Sequence, residues 1–293
     1  MDISWADRWH LFHFAMLAAA CAGLVCPLLG SFLYLRRTSF YGIALPQFAT
    51  AGVVFGFVVL PWWVARIGLG DLSADAALGE PHAAMNYHLV WAAVFTFGGL
   101  SWLDFLARKS GRDVGRVAAA FAIASAATIL FSRMSAVGAS FVDELLQGEV
   151  LGVGLHQFET IAVLLGLVLA TFVIFYRDLV LVSYDREMAQ VLGVRVFRFE
   201  LLLTIVTGLT ISVGTMSLGP LIVFGLLVLP ALAARPWARS MTSYLLLSSG
   251  FGLLAVVLGI LASFELDLPM GAAIVAAAGL ELIPGFVFRR MRR

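Results

Sequence analysis

Charge is what this sequence has least of. Asp, Glu, Lys and Arg make up 13% of its 293 residues, against about 25% in an ordinary soluble domain. The apolar share is 61%, more than a water-soluble core of this length can bury, and a soluble globular protein is thereby excluded. Lysine occurs once, at Lys109, in a short basic stretch and outside any Gly-x-x-x-x-Gly-Lys-Ser/Thr loop. The chain therefore has no nucleotide-binding signature of its own. The five histidines and two cysteines do not fall at zinc-ligand spacing. No His, Asp and Glu stand at catalytic spacing within the apolar stretches, which argues against a membrane enzyme. The N-terminus carries Asp2, Asp7 and Arg8 in place of a basic n-region, and no small-residue cleavage site follows, so a removable signal peptide is not expected. Cys21 and Cys26 share one apolar stretch. On a helix they are about 7.5 Å apart in rise, too far for a disulfide, and both read as small packing residues.

What is there instead is long apolar runs. Scanning for segments of about 20 apolar residues gives nine: Leu11–Leu35, Ile43–Val64, Leu89–Leu106, Val117–Leu130, Thr160–Phe175, Leu201–Leu218, Pro220–Ala234, Tyr244–Ser263 and Met270–Phe288. The expected fold class is an all-α membrane protein, a polytopic bundle of about nine transmembrane helices forming a single domain over residues 1–293.

The arginines orient this bundle. Arg36 and Arg37 follow the first run; Arg108, Lys109, Arg112 and Arg116 follow the third. Arg177, Arg186, Arg195 and Arg198 lie between the fifth and sixth, Arg235 and Arg239 follow the seventh, and Arg289, Arg290, Arg292 and Arg293 end the chain. Sixteen of nineteen basic residues thus fall on one side, the exceptions being Arg8, Arg66 and Arg133. Basic loops stay in the cytoplasm, which predicts an outside N-terminus and a cytoplasmic C-terminus. The other connections are acidic: Asp71, Asp75 and Glu80; Asp143, Glu144 and Glu149; Glu265 and Asp267. Such a rim either attracts cations or a basic partner or is ordinary loop solvation.

The connection at about residues 177–200 is the most organised of the loops. Asp185 is placed to cap a short helix over 186–192, and Gly193 stands where a glycine ends one. Glu187, Ala189 and Gly193 form a Glu-x-Ala-x-x-x-Gly pattern, with Ala189 and Gly193 as a small, close-approach face. Met188, Val191 and Leu192 supply an apolar patch that suits a groove on a cytoplasmic partner or, alternatively, the bilayer surface.

The stretch Tyr184-Asp-Arg-Glu-Met-Ala-Gln-Val-Leu-Gly-Val-Arg-Val resembles the coupling segment of bacterial ABC-type zinc and manganese importer permeases. Leu35-Arg-Arg-Thr-Ser-Phe-Tyr-Gly-Ile-Ala-Leu resembles that family's first cytoplasmic loop and second helix. Leu145-Leu-Gln-Gly-Glu-Val-Leu-Gly-Val resembles its outer turn, and Leu218-Gly-Pro-Leu-Ile-Val-Phe-Gly-Leu-Leu-Val-Leu-Pro-Ala the run ending in a family proline, here Pro230. Leu266-Asp-Leu-Pro-Met-Gly resembles the segment before the last helix. The matches keep their order over about residues 20–280. The resemblance implies a homodimeric permease in the bacterial inner membrane, working with cytoplasmic ATPase subunits and an extracytoplasmic solute-binding protein. No cofactor would be bound by this chain; ATP and Mg would sit on the ATPase. Membrane lipid is the surrounding partner and nucleic acid is not one. Two other readings are an importer of a non-metal solute, and an ion-coupled secondary transporter using Glu281, which leaves the helix at 186–192 without a purpose.

One family feature is missing. The family's second helix usually carries Asp-Ala-Leu-Ser-His, two ligands four residues apart on one helix face. Here the positions read Ile43-Ala-Leu-Pro-Gln47. Isoleucine ligates nothing and glutamine offers a neutral carbonyl, a poor pair for a dehydrated transition ion. The expectation is that Ile43 and Gln47 form no tight metal site, and that the cargo is a metal complex or passes without the usual ligands. His10 and His13 read as interfacial, His82, His88 and His156 as solvated, and Met16, Met216 and Met270 as packing. Candidate pathway residues are Gln47 and Thr50, with Thr204 and Thr207 on the sixth run and Glu281 on the last. A carboxylate within a span is costly and is a functional candidate by default.

Overall fold

The computed structural model describes residues 5–36, 38–67, 81–110, 114–135 and 154–285. Every regular element among them is a helix: α1 (Trp5–Leu35), α2 (Tyr41–Ile67), α3 (Pro81–Ser110), α4 (Val114–Ser132), α5 (Leu155–Ile174), α6 (Tyr176–Tyr184), α7 (Arg186–Val191), α8 (Val196–Leu218), α9 (Pro220–Ala234), α10 (Met241–Leu266) and α11 (Met270–Leu280). Six are long and apolar enough to cross a membrane, or seven when α5 and α6, bent by 76° at Phe175, count as one broken span. The expected runs at Pro220 and Met270 correspond to shorter apolar helices. At 15 residues, α9 is roughly 22 Å long, less than a hydrocarbon core of about 30 Å. The acidic positions Asp71, Asp75, Glu80, Asp143, Glu144 and Glu149, the turn at 145–153, Arg37, Arg112 and the four C-terminal arginines lie outside the described residues.

Local chemistry sets the breaks. α8 ends at Gly219, whose φ of 85° a side chain would oppose, and Pro220 opens α9 where no amide donor is needed. Ser240 and Ser243 form a reciprocal capping box at the start of α10.

α1 is the axis of the bundle. Of its apolar window 72% is buried, against 22% for peripheral α4. It packs on α10, α9 and α5; α2 packs on α3 and α4; and α8 and α9 join the two groups. In a bilayer no hydrophobic force drives helices together, so close packing and internal hydrogen bonds must do it. Glycines provide the approach: Gly30 lies against the backbone of Leu227, Gly52 against that of Trp91, Gly259 against Ile274, and Gly23 and Gly252 face each other. Pro27 deprives the Gly23 carbonyl of its helical donor, and that carbonyl lies beside Gly252. The same junction is tied by the Ser31 hydroxyl, which donates to Ser248 Oγ (2.9 Å), and by the Ser248 hydroxyl, which donates to the Pro27 carbonyl (3.3 Å).

Three sequence expectations change here. α3 begins at Pro81, eight residues before the expected run, so His82 and His88 are helical. His88 is buried rather than solvated, with Nδ1 3.3 Å from the Val53 carbonyl and its ring 3.9 Å from that of Phe57. The segment after α5 holds two helices, not one. Met16 and Met270 are buried and Met216 packs on the core, as expected of packing residues.

Replacing Gly30 by valine drives a branched side chain into the α9 backbone and is expected to cost on the order of 3 kcal/mol. Gly98 has nothing within 4 Å of a new Cβ, so Gly98→Ala is expected to be neutral or to stabilise by up to about 1 kcal/mol. Thermal unfolding in detergent measures both. Equal melting temperatures for the two variants would contradict this packing scheme.

Candidate functional site

One end of the bundle gathers the basic residues. Glu200, at the start of α8, lies 3.8 Å from Arg36 at the end of α1 and 3.4 Å from Arg186 on α7. Arg235, just after α9, sits 4.9 Å above the Tyr34 ring of α1, and Tyr34 meets Tyr244 of α10 edge-on. The Tyr41 hydroxyl donates to Asp104 (3.4 Å), linking the start of α2 to the end of α3. Arg116 of α4 donates to the Leu106 carbonyl (3.1 Å), and Tyr176 and Thr242 share a hydrogen bond of 2.8 Å. Partly exposed ion pairs contribute little individually. Their value here is positional, because they hold α7 beside the ends of α1 and α8.

α7 is built as its sequence suggests at both ends. The Asp185 carboxylate accepts from the Met188 amide at 2.9 Å, and Gly193, at φ 78°, lets the chain reverse so that the Val194 amide reaches the Ala189 carbonyl (3.0 Å). Its middle faces differently from the small-face expectation. Ala189 is fully buried, packed with Val182 of α6 and Val196 of α8. Gly193 is open, with nothing within 4 Å. The surface that α7 presents is Met188, Val191 (82% exposed) and Leu192, with Glu187 exposed beside them. Tyr184 before the helix and Phe197 after it are exposed as well, and sequence spacing had not grouped them with it.

The interior polar residues are mostly self-satisfied. Thr50 donates to the Pro46 carbonyl (2.9 Å), Thr204 to Glu200 (2.9 Å), Thr207 to Leu203 (2.7 Å) and Thr210 to Val206 (2.8 Å). Each hydroxyl has spent its proton on its own helix four residues back, and what remains is an acceptor lone pair. Thr50, Thr207 and Thr210 are buried. Ser212 of α8 donates to Thr96 of α3 at 3.1 Å, a contact between helices that the candidate list lacked. Gln47 is half-buried, and Ile43 forms part of the wall of an apolar cavity of about 230 Å³ between α1, α2 and α9. Glu281 caps the end of α11, buried, with neither carboxylate oxygen hydrogen-bonded. The structure thus brings Thr204 and Thr207 onto one helix and does not join them to Gln47 or Glu281 by any hydrogen bond. Among the described residues no three His, Cys, Asp or Glu side chains are grouped as a metal site.

The comparison with known proteins fits this architecture. Residues 9–289 match the model of the ABC 3 transport family. The chain is 26% identical over 300 residues to the manganese import system permease protein ScaB of Streptococcus pneumoniae, covering 100% of this chain and 97% of that one. It is 24% identical over 287 residues to the chelated iron transport system membrane protein YfeD of Yersinia pestis, covering 95% and 85%. Its fold matches a chain of the solved PsaBC from Streptococcus pneumoniae in complex with Fab with a TM-score of 0.77 at 23% identity, over 96% of this chain and 94% of that one. A second solved chain, from an ABC transporter in an inward-facing conformation, gives 0.68 at 16% identity, over 99% and 90%. With its helices matched from within α1 to beyond α11, the chain belongs to the ABC 3 transport family.

Proposed function

We propose that this chain is the permease subunit of an ATP-driven importer that carries a metal ion or metal complex across the bacterial inner membrane. The observation that carries the reading is the family match over residues 9–289, with relatives named for manganese import and for chelated-iron transport. The chain is one permease domain without an ATPase site. Its nine crossing segments are the six long helices, the bent α5–α6 pair, and the short α9 and α11. The arginine distribution supports an outside N-terminus and a cytoplasmic C-terminus. Two copies enclose the pathway, a solute-binding protein delivers cargo from outside, and cytoplasmic subunits hold ATP and Mg.

In this reading the segment at 177–200 couples the two machines. α7 offers Met188, Val191 and Leu192 to a groove on the ATPase, while Asp185 and Gly193 fix its ends and Ala189 seats it on α6 and α8. Because α7 packs on α6 and α8, a push from the ATPase passes into α8, which in turn touches α2, α3, α5 and α9. A short rigid lever at the membrane surface thereby reaches both halves of the bundle. Cargo passes near Gln47, Thr50, Thr204, Thr207 and Glu281, none of which supplies the paired charged ligands that a bare transition ion favours. A complexed metal needs fewer of them.

Two outcomes are expected. Val191→Glu combined with Leu192→Glu replaces two exposed anchors without touching the core. It should weaken ATPase binding by on the order of 30-fold or more and abolish ATP-dependent uptake of whichever cargo, manganese or chelated iron, the unmodified complex carries in proteoliposomes, with the permease still folded. Full uptake and ATPase co-purification by that variant would remove α7 from the interface. Thr207→Val, in contrast, deletes a hydroxyl whose proton is already bound within its own helix. Uptake should fall by less than about threefold, consistent with a loss under 1 kcal/mol. Abolished uptake in a folded Thr207→Val protein would instead mark its oxygen as a cargo contact.

A further inference from the structure

Two arginines share one oxygen at the basic end. Glu200 Oε1 lies 3.8 Å from Arg36 Nη2 and 3.4 Å from Arg186 Nε. Both separations exceed the roughly 2.7–2.9 Å of a charge-assisted hydrogen bond, so the carboxylate is closed on neither arginine and has room to tighten on either. Each of the three groups is anchored to a different helix. The Arg36 amide donates to the Phe32 carbonyl (3.1 Å) and so continues α1. Arg186 opens α7, and Glu200 stands in the first two turns of α8, where its carbonyl accepts from the Thr204 hydroxyl. The side chains of Arg36 and Glu200 are 23% and 22% exposed and that of Arg186 is 64% exposed, so the outermost member of the trio belongs to α7.

Pairs this exposed add little to stability. Their arrangement matters for another reason. Two like charges gathered about one carboxylate repel each other and are both drawn to it, so displacing one changes the balance of forces on the other. Where the ATPase grips α7, as proposed above, Arg186 moves with that helix while Arg36 stays with α1. We propose, resting on that reading, that Glu200 is a positioning residue of the transport stroke, handing the movement of α7 to the end of α1 by shifting its carboxylate between Arg186 and Arg36. α1 packs on α5, α9 and α10, and the Ser31–Ser248 hydrogen bond ties it to the last of these. A shift at Arg36 is thereby felt along the axis of the bundle as well as in α8.

The test uses the full chain with its ATPase and binding protein in proteoliposomes, supplied with manganese or chelated iron, whichever the unmodified complex carries. The quantity measured is ATP hydrolysed per cargo imported. Glu200→Gln should raise that ratio by about threefold or more, with ATPase co-purification and melting temperature unchanged. Arg36→Gln, at the partly exposed end of α1, should raise it similarly. The two changes together should be no worse than either alone, because each breaks the same link. An unchanged ratio in either single variant overturns the relay, and so does a double variant whose increase is the product of the two. Loss of the ATPase or a lowered melting temperature in Glu200→Gln overturns it too, by making Glu200 merely a seat for α7. Failure of the α7 interface shows separately, as ATPase retained by Val191→Glu with Leu192→Glu; that result removes the relay's input and overturns it as well.

Discussion

Backbone meeting backbone holds this bundle together. Where Gly23 faces Gly252, Gly30 faces Leu227 and Gly52 faces Trp91, main chains approach more closely than any side chain would permit. In water such contacts would supplement a hydrophobic core; in a bilayer they replace it, because tails outside are as apolar as leucines inside. The hydrogen bonds between Ser31, Ser248 and the Pro27 carbonyl occupy the same α1–α10 junction. Polar groups without water must find partners, so they fix the register that the glycines only allow. With α1 locked to α9 and α10 in this way, its end delivers Arg36 to Glu200, and Glu200 in turn holds Arg186 of the short helix. The placement of the surface that a partner would touch is therefore a consequence of packing in the middle of the membrane.

The same logic explains which features could be read from the sequence. Apolar runs are long, charge-poor and separated by arginines, so each of the nine coincides with one helix, although only six of these helices, or seven with the bent pair, are long and apolar enough to cross a membrane. Asp185 and Gly193 are legible because capping chemistry is local: one carboxylate, one positive φ. Ala189 was not. Six residues contain too little periodicity to tell which face of α7 is buried, and an alanine suits a partner interface and an internal seat equally well. His88 was misplaced for a related reason. The polar residues His82, Asn86, Tyr87 and His88 resemble a loop by composition, yet α3 runs through them and Phe57 and the Val53 carbonyl receive the imidazole. α6 escaped notice because nine residues carrying Arg177 and Asp178 have neither the length nor the purity of a span.

The interior is less legible. Threonines three apart suggest a polar track, and Thr204, Thr207 and Thr210 each donate to a carbonyl one turn back, which leaves only acceptor lone pairs to face a pathway. The loss of the acidic and imidazole pair at Ile43 and Gln47 is the more informative signal. Ile43 presents an apolar wall there, and Glu281 is the one buried carboxylate among the described residues, with neither oxygen hydrogen-bonded.

The central claim is that the end carrying Arg36, Glu200 and α7 faces the cytoplasm. Cysteine accessibility in intact cells, with Cys21 and Cys26 replaced by serine, tests it most directly. Val191→Cys on α7 should be inert to a membrane-impermeant thiol reagent until the inner membrane is opened. Glu265→Cys, at the far end of α10, should react at once; both side chains stand exposed. Immediate labelling at 191 with protection at 265 would invert the protein in the membrane and contradict the account.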